Sequence, residues 1–165
     1  MRLVFADANL MRYDKSWPGF PLVLDDECES SEPAQSFLWA WLIQPHIKPT
    51  SWSHYGRALY DFLGFVNANN LDWRSHKEGT LPAIGAYRDW CKGTVHLADS
   101  TINDRLGVII TFYRWAKDQG LIDRLPFGFR SIPSGRPTGH RDDPAAHSVE
   151  YVESPDVLLR RSKRE

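Results

Sequence analysis

The stretch DSTINDRLGVIITFYRWAKDQGLIDRLPF (residues 99–127) contains the clearest helix signal in this chain of 165 residues. Its apolar residues recur at spacings of three and four, which places them in one buried stripe of an α-helix. Members of this stripe are Ile102, Leu106, Ile109, Ile110, Tyr113 and Ala116. Asp99 or Ser100 is the predicted N-cap, because its side-chain oxygen can accept from a free backbone N–H. Gly120 is the predicted left-handed residue after the last turn.

The opposite side of this helix is polar, with a glycine in its middle. It carries Asn103, Gly107, Thr111, Arg114 and Lys117. A glycine inside a helix costs about 1 kcal/mol relative to alanine. Close approach by another helix or by DNA would account for Gly107, and the residues alone leave both explanations open.

The composition predicts a folded domain with a substantial core. Hydrophobic residues make up 42% of the chain and aromatic residues 13%, including seven tryptophans, which argues against global disorder. The net charge of −1 predicts neither a nucleic acid nor a membrane as partner. Residues 51–130 hold ten Lys and Arg against eight Asp and Glu, which is weak support for an anionic partner.

Cysteine usage and hydropathy indicate a cytoplasmic protein. Cys28 and Cys91 have no metal-binding spacing, so they are interpreted as reduced thiols. No signal peptide is evident at the N-terminus, and no apolar run approaches the length of a membrane span. Export and membrane insertion are therefore not expected.

Three further helices are predicted before residue 99. The first covers about residues 33–44, with Pro33 in its first turn. The second begins at Thr50 or Ser51 and runs to about Asn69, and the third covers about residues 81–92. The predicted core is therefore a bundle of four helices.

Two flanking segments differ from this helical body. Residues 1–32 contain short apolar runs that either pair as a hairpin or lie as extended arms over the helices. Residues 131–165 are rich in Pro, Gly and charge, and they are interpreted as a linker that leads towards a missing second domain. The domain assignment is an N-terminal arm (1–32), a helical domain (33–130) and a linker (131–165).

The sequence contains no recognisable set of catalytic or metal-binding residues. Gly-rich phosphate loops, His-Glu-x-x-His and Cys-x-x-Cys patterns are all missing. The six histidines are scattered, and the acidic run at residues 25–29 is best explained as a solvated loop. No cofactor or metal is expected, and a complete small enzyme is the least favoured interpretation.

Helices two to four carry a set of residues in a characteristic order. The set comprises Thr50, Tyr55, Leu59, Phe62 and Leu63, then Ser100, Thr101, Ile102, Asn103, Arg105 and Leu106, then FYRWA (112–116), GLI (120–122), Pro126 and Phe127. This order resembles the N-terminal core-binding (SAM-like) domain of tyrosine recombinases, the phage-integrase family, over roughly residues 33–130. The family's catalytic domain, with its arginines and its tyrosine nucleophile, has no counterpart here. Tyr151 lies in the predicted linker and is not assigned as a nucleophile.

The resemblance implies a mainly α fold, a four-helix SAM-like core-binding bundle with an extended or short β-hairpin N-terminal arm. It also implies a DNA-binding module of a site-specific recombinase that acts in DNA integration or recombination and has no catalytic activity of its own. Such a module docks on the half-site of a recombination target and clamps double-stranded DNA together with the catalytic domain. Other recombinase subunits are the second expected partner.

The candidate DNA-binding residues lie on helices two and four, which begin with hydroxyl, amide and basic groups that suit phosphate contact. They are Ser51, Ser53, His54, Arg57, Thr101, Asn103, Arg105, Thr111, Arg114 and Lys117. The main alternative is a helical protein-interaction or oligomerisation module without DNA binding of its own. The net charge near zero suits a protein partner better than DNA.

Overall fold

The computed structural model describes residues 1–75, 79–137 and 149–160, with only the backbone described for residues 134–137 and 149–150. Residues 76–78, 138–148 and 161–165 lie outside this description. Part of the polar stretch 74–80, between the second and third predicted helices, and most of the basic residues at positions 160–164 therefore lie outside it too.

Over these residues the chain is mainly α-helical, with short antiparallel strand pairs before and after the helices. The elements are β1 (Arg2–Phe5), β2 (Met11–Arg12), β3 (Lys15–Ser16), β4 (Pro21–Leu24), α1 (Ala34–Leu42), α2 (Trp52–Ala68), α3 (Ala83–Gly93), α4 (Asp99–Asp118), β5 (Phe129–Pro137) and β6 (Val149–Pro155). A short 3₁₀ turn, Pro49–Ser51, leads directly into α2. The four predicted helices are confirmed, and the ends of the first three differ by at most two residues from the predicted ones.

The two ends of α4 differ in how well they were predicted. The predicted N-cap at Asp99 or Ser100 is wrong, because Ala98 is the cap residue, in an extended conformation and without a side-chain cap bond. Asp99 is instead the first helical residue, and its carboxylate lies 3.2 Å from Lys92 Nζ. The C-terminal prediction is confirmed, since Gly120 follows the helix with φ +70°.

The core lies where α4 packs against α2 and α3. The predicted stripe of α4 is buried along its whole length, and Ile102, Leu106 and Tyr113 are inaccessible to solvent. The Tyr113 hydroxyl donates to the carbonyl of Trp73 at 3.0 Å, so the one polar atom of this buried ring is satisfied. Helix α4 is thus the central strut of the body.

The N-terminal arm folds as two nested strand pairs. β1 pairs antiparallel with β4, with Leu3 opposite Val23, and the shorter β2–β3 hairpin lies between them in sequence. Tyr13 and Asp14 connect β2 to β3, and both have positive φ. A two-residue hairpin turn needs this conformation to match the right-handed twist of its strands. Of the two predicted arrangements of residues 1–32, a paired hairpin or extended arms, the structure shows paired strands.

Strand β4 is held closely on the helices. The Gln35 side chain, only 3% exposed, accepts from the N–H of Val23 at 2.9 Å, so a side chain of α1 satisfies backbone on β4. The Phe20 ring stacks on Trp39 with 3.8 Å between centroids. At Gly56 of α2, an added Cβ would lie 2.4 Å from Pro21 Cβ. Glycine is needed there because any side chain would displace β4.

The described part of the predicted linker is structured. β5 pairs antiparallel with β6, for example Ile132 opposite Val152, and the chain then returns to the helices. Residues 157–159, called the strap below, lie against the body, and Val157 is only 5% exposed. The sequence indicated no packing partner for this segment. That the segment leads towards a second domain stays a prediction.

We expect Gly56→Ala to destabilise the protein by about 1–3 kcal/mol, because the new methyl group overlaps Pro21 and β4 must shift. Gly64→Ala is the matched control on the same helix, since nothing lies within 4 Å of its added Cβ. The control should raise stability by up to about 1 kcal/mol through helix propensity. Urea unfolding followed by circular dichroism measures both, and equal effects of the two substitutions would contradict the close contact.

Candidate nucleic-acid interface

The predicted DNA-binding residues of α2 share one exposed face at the start of the helix. Ser53, His54 and Arg57 are all exposed, and at about 100° per residue they fall within one 100° sector. The Arg57 guanidinium lies 5.8 Å from the centre of the Phe5 ring of β1, which supports it at the surface. Ser51 is half-buried in the preceding 3₁₀ turn.

The predicted residues of α4 lie on two different sides of the helix. Asn103 and Arg105 are two residues apart and therefore point about 200° away from each other. Arg105 points towards α2 and α3, whereas Asn103 points towards the strap. Thr101, which is exposed, lies near the Arg105 side, and Arg114 lies near the Asn103 side.

Arg105 connects three helices through polar contacts. Its Nη1 lies 2.6 Å from Oδ2 of Asp61 on α2 and 3.4 Å from the hydroxyl of Tyr87 on α3. Burial raises the pKa of the Tyr87 hydroxyl, which stays protonated near neutral pH. The guanidinium is therefore already paired with a carboxylate of the same chain.

Asn103 and Thr111 also use their polar groups within the chain. The Asn103 amide donates to the carbonyl of Leu159 and accepts from the N–H of the same residue, both at 2.9 Å. Thr111 Oγ1 donates to the carbonyl of Gly107 at 2.9 Å, a bond within the helix. These two side chains have structural roles in this arrangement.

Arg114 and Lys117 are exposed on the last turns of α4. The Arg114 guanidinium lies 5.6 Å from the centre of the Phe129 ring, at the base of the β5–β6 hairpin. Asp104 and Asp118 are exposed on the same helix, so the surface is mixed in charge rather than strongly basic. Any contact between this surface and DNA phosphates would therefore depend on individual arginine and lysine side chains rather than on a continuous basic patch.

Gly107 lies in the open middle of the exposed face of α4. An added Cβ there would have no neighbour within 4 Å among the residues that the structure describes. Of the two explanations for this glycine, packing of another helix against it is not observed in the described part of the chain. The position leaves the backbone of α4 open to close approach from outside.

Two roles were missed by sequence reasoning. Asp61 lies on α2, and only the crossing of α2 and α4 brings its carboxylate to Arg105. The partner of Asn103 lies 56 residues further along the chain, in a segment whose composition indicated a linker. No local signal connects such distant residues.

The described residues offer neither a metal cluster nor a helix that could cross a membrane. No group of three or more His, Cys, Asp and Glu residues is placed to hold a metal ion there. None of the described helices combines the length and the apolar character that crossing a membrane requires.

No family model matches the chain, and neither a curated protein nor a solved structure matches it. Any functional assignment therefore depends on the chain's own residues and their geometry.

We expect the pair of Arg105 and Asp61 to stabilise the fold by about 1 kcal/mol or less, because both side chains are partly exposed, at 29% and 36%. A double-mutant cycle with Arg105→Ala, Asp61→Ala and the double variant, followed by urea unfolding, measures this coupling. Strictly additive effects would show that the pair contributes nothing. If Arg105→Ala weakened DNA binding without loss of stability, Arg105 would be a DNA contact instead.

We expect the two thiols to react very differently in the folded protein. Cys28 is exposed, whereas Cys91 is buried and its burial raises the pKa of the thiol, which leaves less reactive thiolate at a given pH. Titration with Ellman's reagent should label one thiol rapidly and the second only after denaturation. Cys28→Ser should remove the rapid phase, and a remaining rapid phase would contradict the burial of Cys91.

Proposed function

We propose that this chain is the DNA-binding core-binding module of a site-specific tyrosine recombinase, with a SAM-like arrangement of its four helices. Its task is to dock on double-stranded DNA at a recombination half-site during integration or another recombination reaction. Strand cleavage belongs to a separate catalytic domain, and this chain alone cuts nothing. Its setting in this proposal is the cytoplasm, with other recombinase subunits as further partners and no cofactor.

The observation that carries the proposal is the exposed face at the start of α2. Ser53, His54 and Arg57 lie together there, and the Arg57 guanidinium lies 5.8 Å from the centre of the Phe5 ring. Arginine, hydroxyl groups and the N–H groups at a helix start are the usual protein contacts to DNA phosphates. This face offers the first two kinds of group, whereas the N–H of Trp52 at the helix start is already bonded to the carbonyl of Pro49.

Helix α4 supplies the second contact region. Arg114 and Lys117 are exposed, and Gly107 leaves the helix backbone accessible between the two ends of the face. Asn103, Arg105 and Thr111 are assigned structural roles instead, since their polar groups have partners in the chain. Because few basic groups remain and acidic residues lie nearby, the isolated chain should bind DNA weakly.

We expect the affinity for duplex DNA to fall as salt rises, with a logarithmic slope of about −3 if Arg57, Arg114 and Lys117 each contact a phosphate. Arg57→Ala and Arg114→Ala should each reduce the magnitude of that slope by about 1. Arg74→Ala is the control with the same change in charge, since its guanidinium lies over Trp73, 4.6 Å from the ring centre, in a cleft with Trp115 and Gln119, which lie about 200° around α4 from Lys117. Fluorescence anisotropy at several salt concentrations measures all four proteins.

An affinity that does not depend on salt would overturn the phosphate contacts. Equal effects of Arg57→Ala, Arg114→Ala and Arg74→Ala would place the DNA surface elsewhere. Circular dichroism of each variant checks that helicity is unchanged.

The second candidate function is a protein-interaction or oligomerisation module. It is favoured by the large apolar side chains exposed on the β5–β6 hairpin, where Tyr151 is 64% exposed and Val152 44%. Self-association without any shift of duplex DNA at moderate salt would favour this function over DNA binding.

A further inference from the structure

The exposed face at the start of α2 does not end with Arg57. Asp61 follows one turn later, about 6 Å further along the helix axis and about 40° around it from Arg57. Ser53 and His54 fall within the same 100° sector, so Asp61 shares one face of the helix with them and with Arg57. The side chain of Asp61 is 36% exposed, and it places a negative charge on this face.

The same face remains open beyond Asp61. Gly64 also falls within this sector, because seven residues correspond to about 700° and bring it to within about 20° of Arg57. An added Cβ at Gly64 would have no neighbour within 4 Å among the residues that the structure describes. A DNA backbone that follows the face from the start of α2 therefore passes the carboxylate of Asp61.

Arg105 brings a positive charge from α4 to this sector of α2. Its Nη1 lies 2.6 Å from Asp61 Oδ2 and 3.4 Å from the hydroxyl of Tyr87. Tyr87 is inaccessible to solvent, whereas the Arg105 side chain is 29% exposed, so the guanidinium lies between the interior and the surface. A guanidinium has five N–H donors, and both of these contacts are made through one of its nitrogens.

The carboxylate of Asp61 acts against phosphate binding in two ways. Carboxylates and phosphates bind the same N–H groups of arginine, so Asp61 competes directly with a phosphate for Arg105. Its negative charge also repels phosphates near Arg57, which is one turn away and therefore within the screening length of about 8 Å at physiological salt. Because a partly exposed ion pair stabilises a fold only weakly, its effect on a charged partner can exceed its effect on stability.

We propose that Asp61 limits the affinity of the α2 face for DNA, because its carboxylate pairs with the guanidinium of Arg105. Arg105 is then a latent phosphate contact, which the ion pair keeps from DNA. This role rests on the proposed function, since it concerns the same face and the same partner. Phosphate contacts carry no sequence information, so the ion pair lowers affinity for duplex DNA of any sequence.

We expect Asp61→Ala to raise the affinity for duplex DNA about two- to fivefold, the range that corresponds to the loss of a weak exposed ion pair. The released Arg105 should add one phosphate contact, so the slope of log affinity against log salt should become steeper by about 1. Fluorescence anisotropy of the full-length chain with a duplex at several salt concentrations measures both quantities.

Two control variants separate the release of Arg105 from a general change in charge. Asp89→Ala removes the same charge and releases Arg88 from an ion pair of 2.7 Å, but on α3, about 200° around that helix from Tyr87. It should leave the salt slope unchanged. The double variant Asp61→Ala/Arg105→Ala should return the slope to that of the unaltered chain, because the released guanidinium is removed as well.

The outcomes distinguish this proposal from the function on which it rests. An unchanged slope in Asp61→Ala, or a steeper slope that survives in the double variant, would overturn the role of Asp61 and leave the proposed function intact. An affinity of the unaltered chain that does not depend on salt would overturn the proposed function and this role together. Circular dichroism checks the fold of each variant, and Asp61→Asn repeats the test should the alanine variant lose helicity.

Discussion

The N-terminal arm is joined to the helices through the close contact between β4 and α2 at Gly56. Pro21 lies so close to this glycine that no other residue fits without moving the strand. With β4 in that position, Gln35 can satisfy the N–H of Val23, and Phe20 can stack on Trp39. The strands and the helices therefore share one core, and the arm is part of the body rather than an appendage.

Helix α4 illustrates how polar residues on a central element serve the fold before they can serve a ligand. Arg105 pairs with Asp61 across the α2–α4 contact, and Asn103 holds the strap at Leu159. A polar residue on the outer side of a helical wheel is thus not sufficient to indicate a binding surface. The residues left for an external partner are those whose charged groups remain at the surface, Arg57, Arg114 and Lys117 among them.

The helices were predictable because their signals are local. The spacing of Ile102, Leu106 and Tyr113 implies one buried face whatever lies against it, and Gly120 ends α4 where a left-handed residue is needed. The start of α4 was predicted wrongly, because capping depends on the path by which the chain enters the helix. Here the chain enters in an extended conformation at Ala98, which has no side-chain acceptor, and Asp99 pairs with Lys92 instead.

The sequence by itself determined the four helices and the buried stripe of each. It also showed the short apolar runs at the N-terminus that can pair as strands, and it contains no recognisable catalytic motif. Only the tertiary structure decided which polar side chains are bonded within the chain, as Asn103 is to the strap. It also explains why residue 56 must be a glycine, and it shows that the strap returns to α3 and α4. The physical reason is distance along the chain. Hydrophobic periodicity and turn chemistry act over a few residues, whereas the bonds of Asn103 and Arg105 join residues tens of positions apart that only packing brings together.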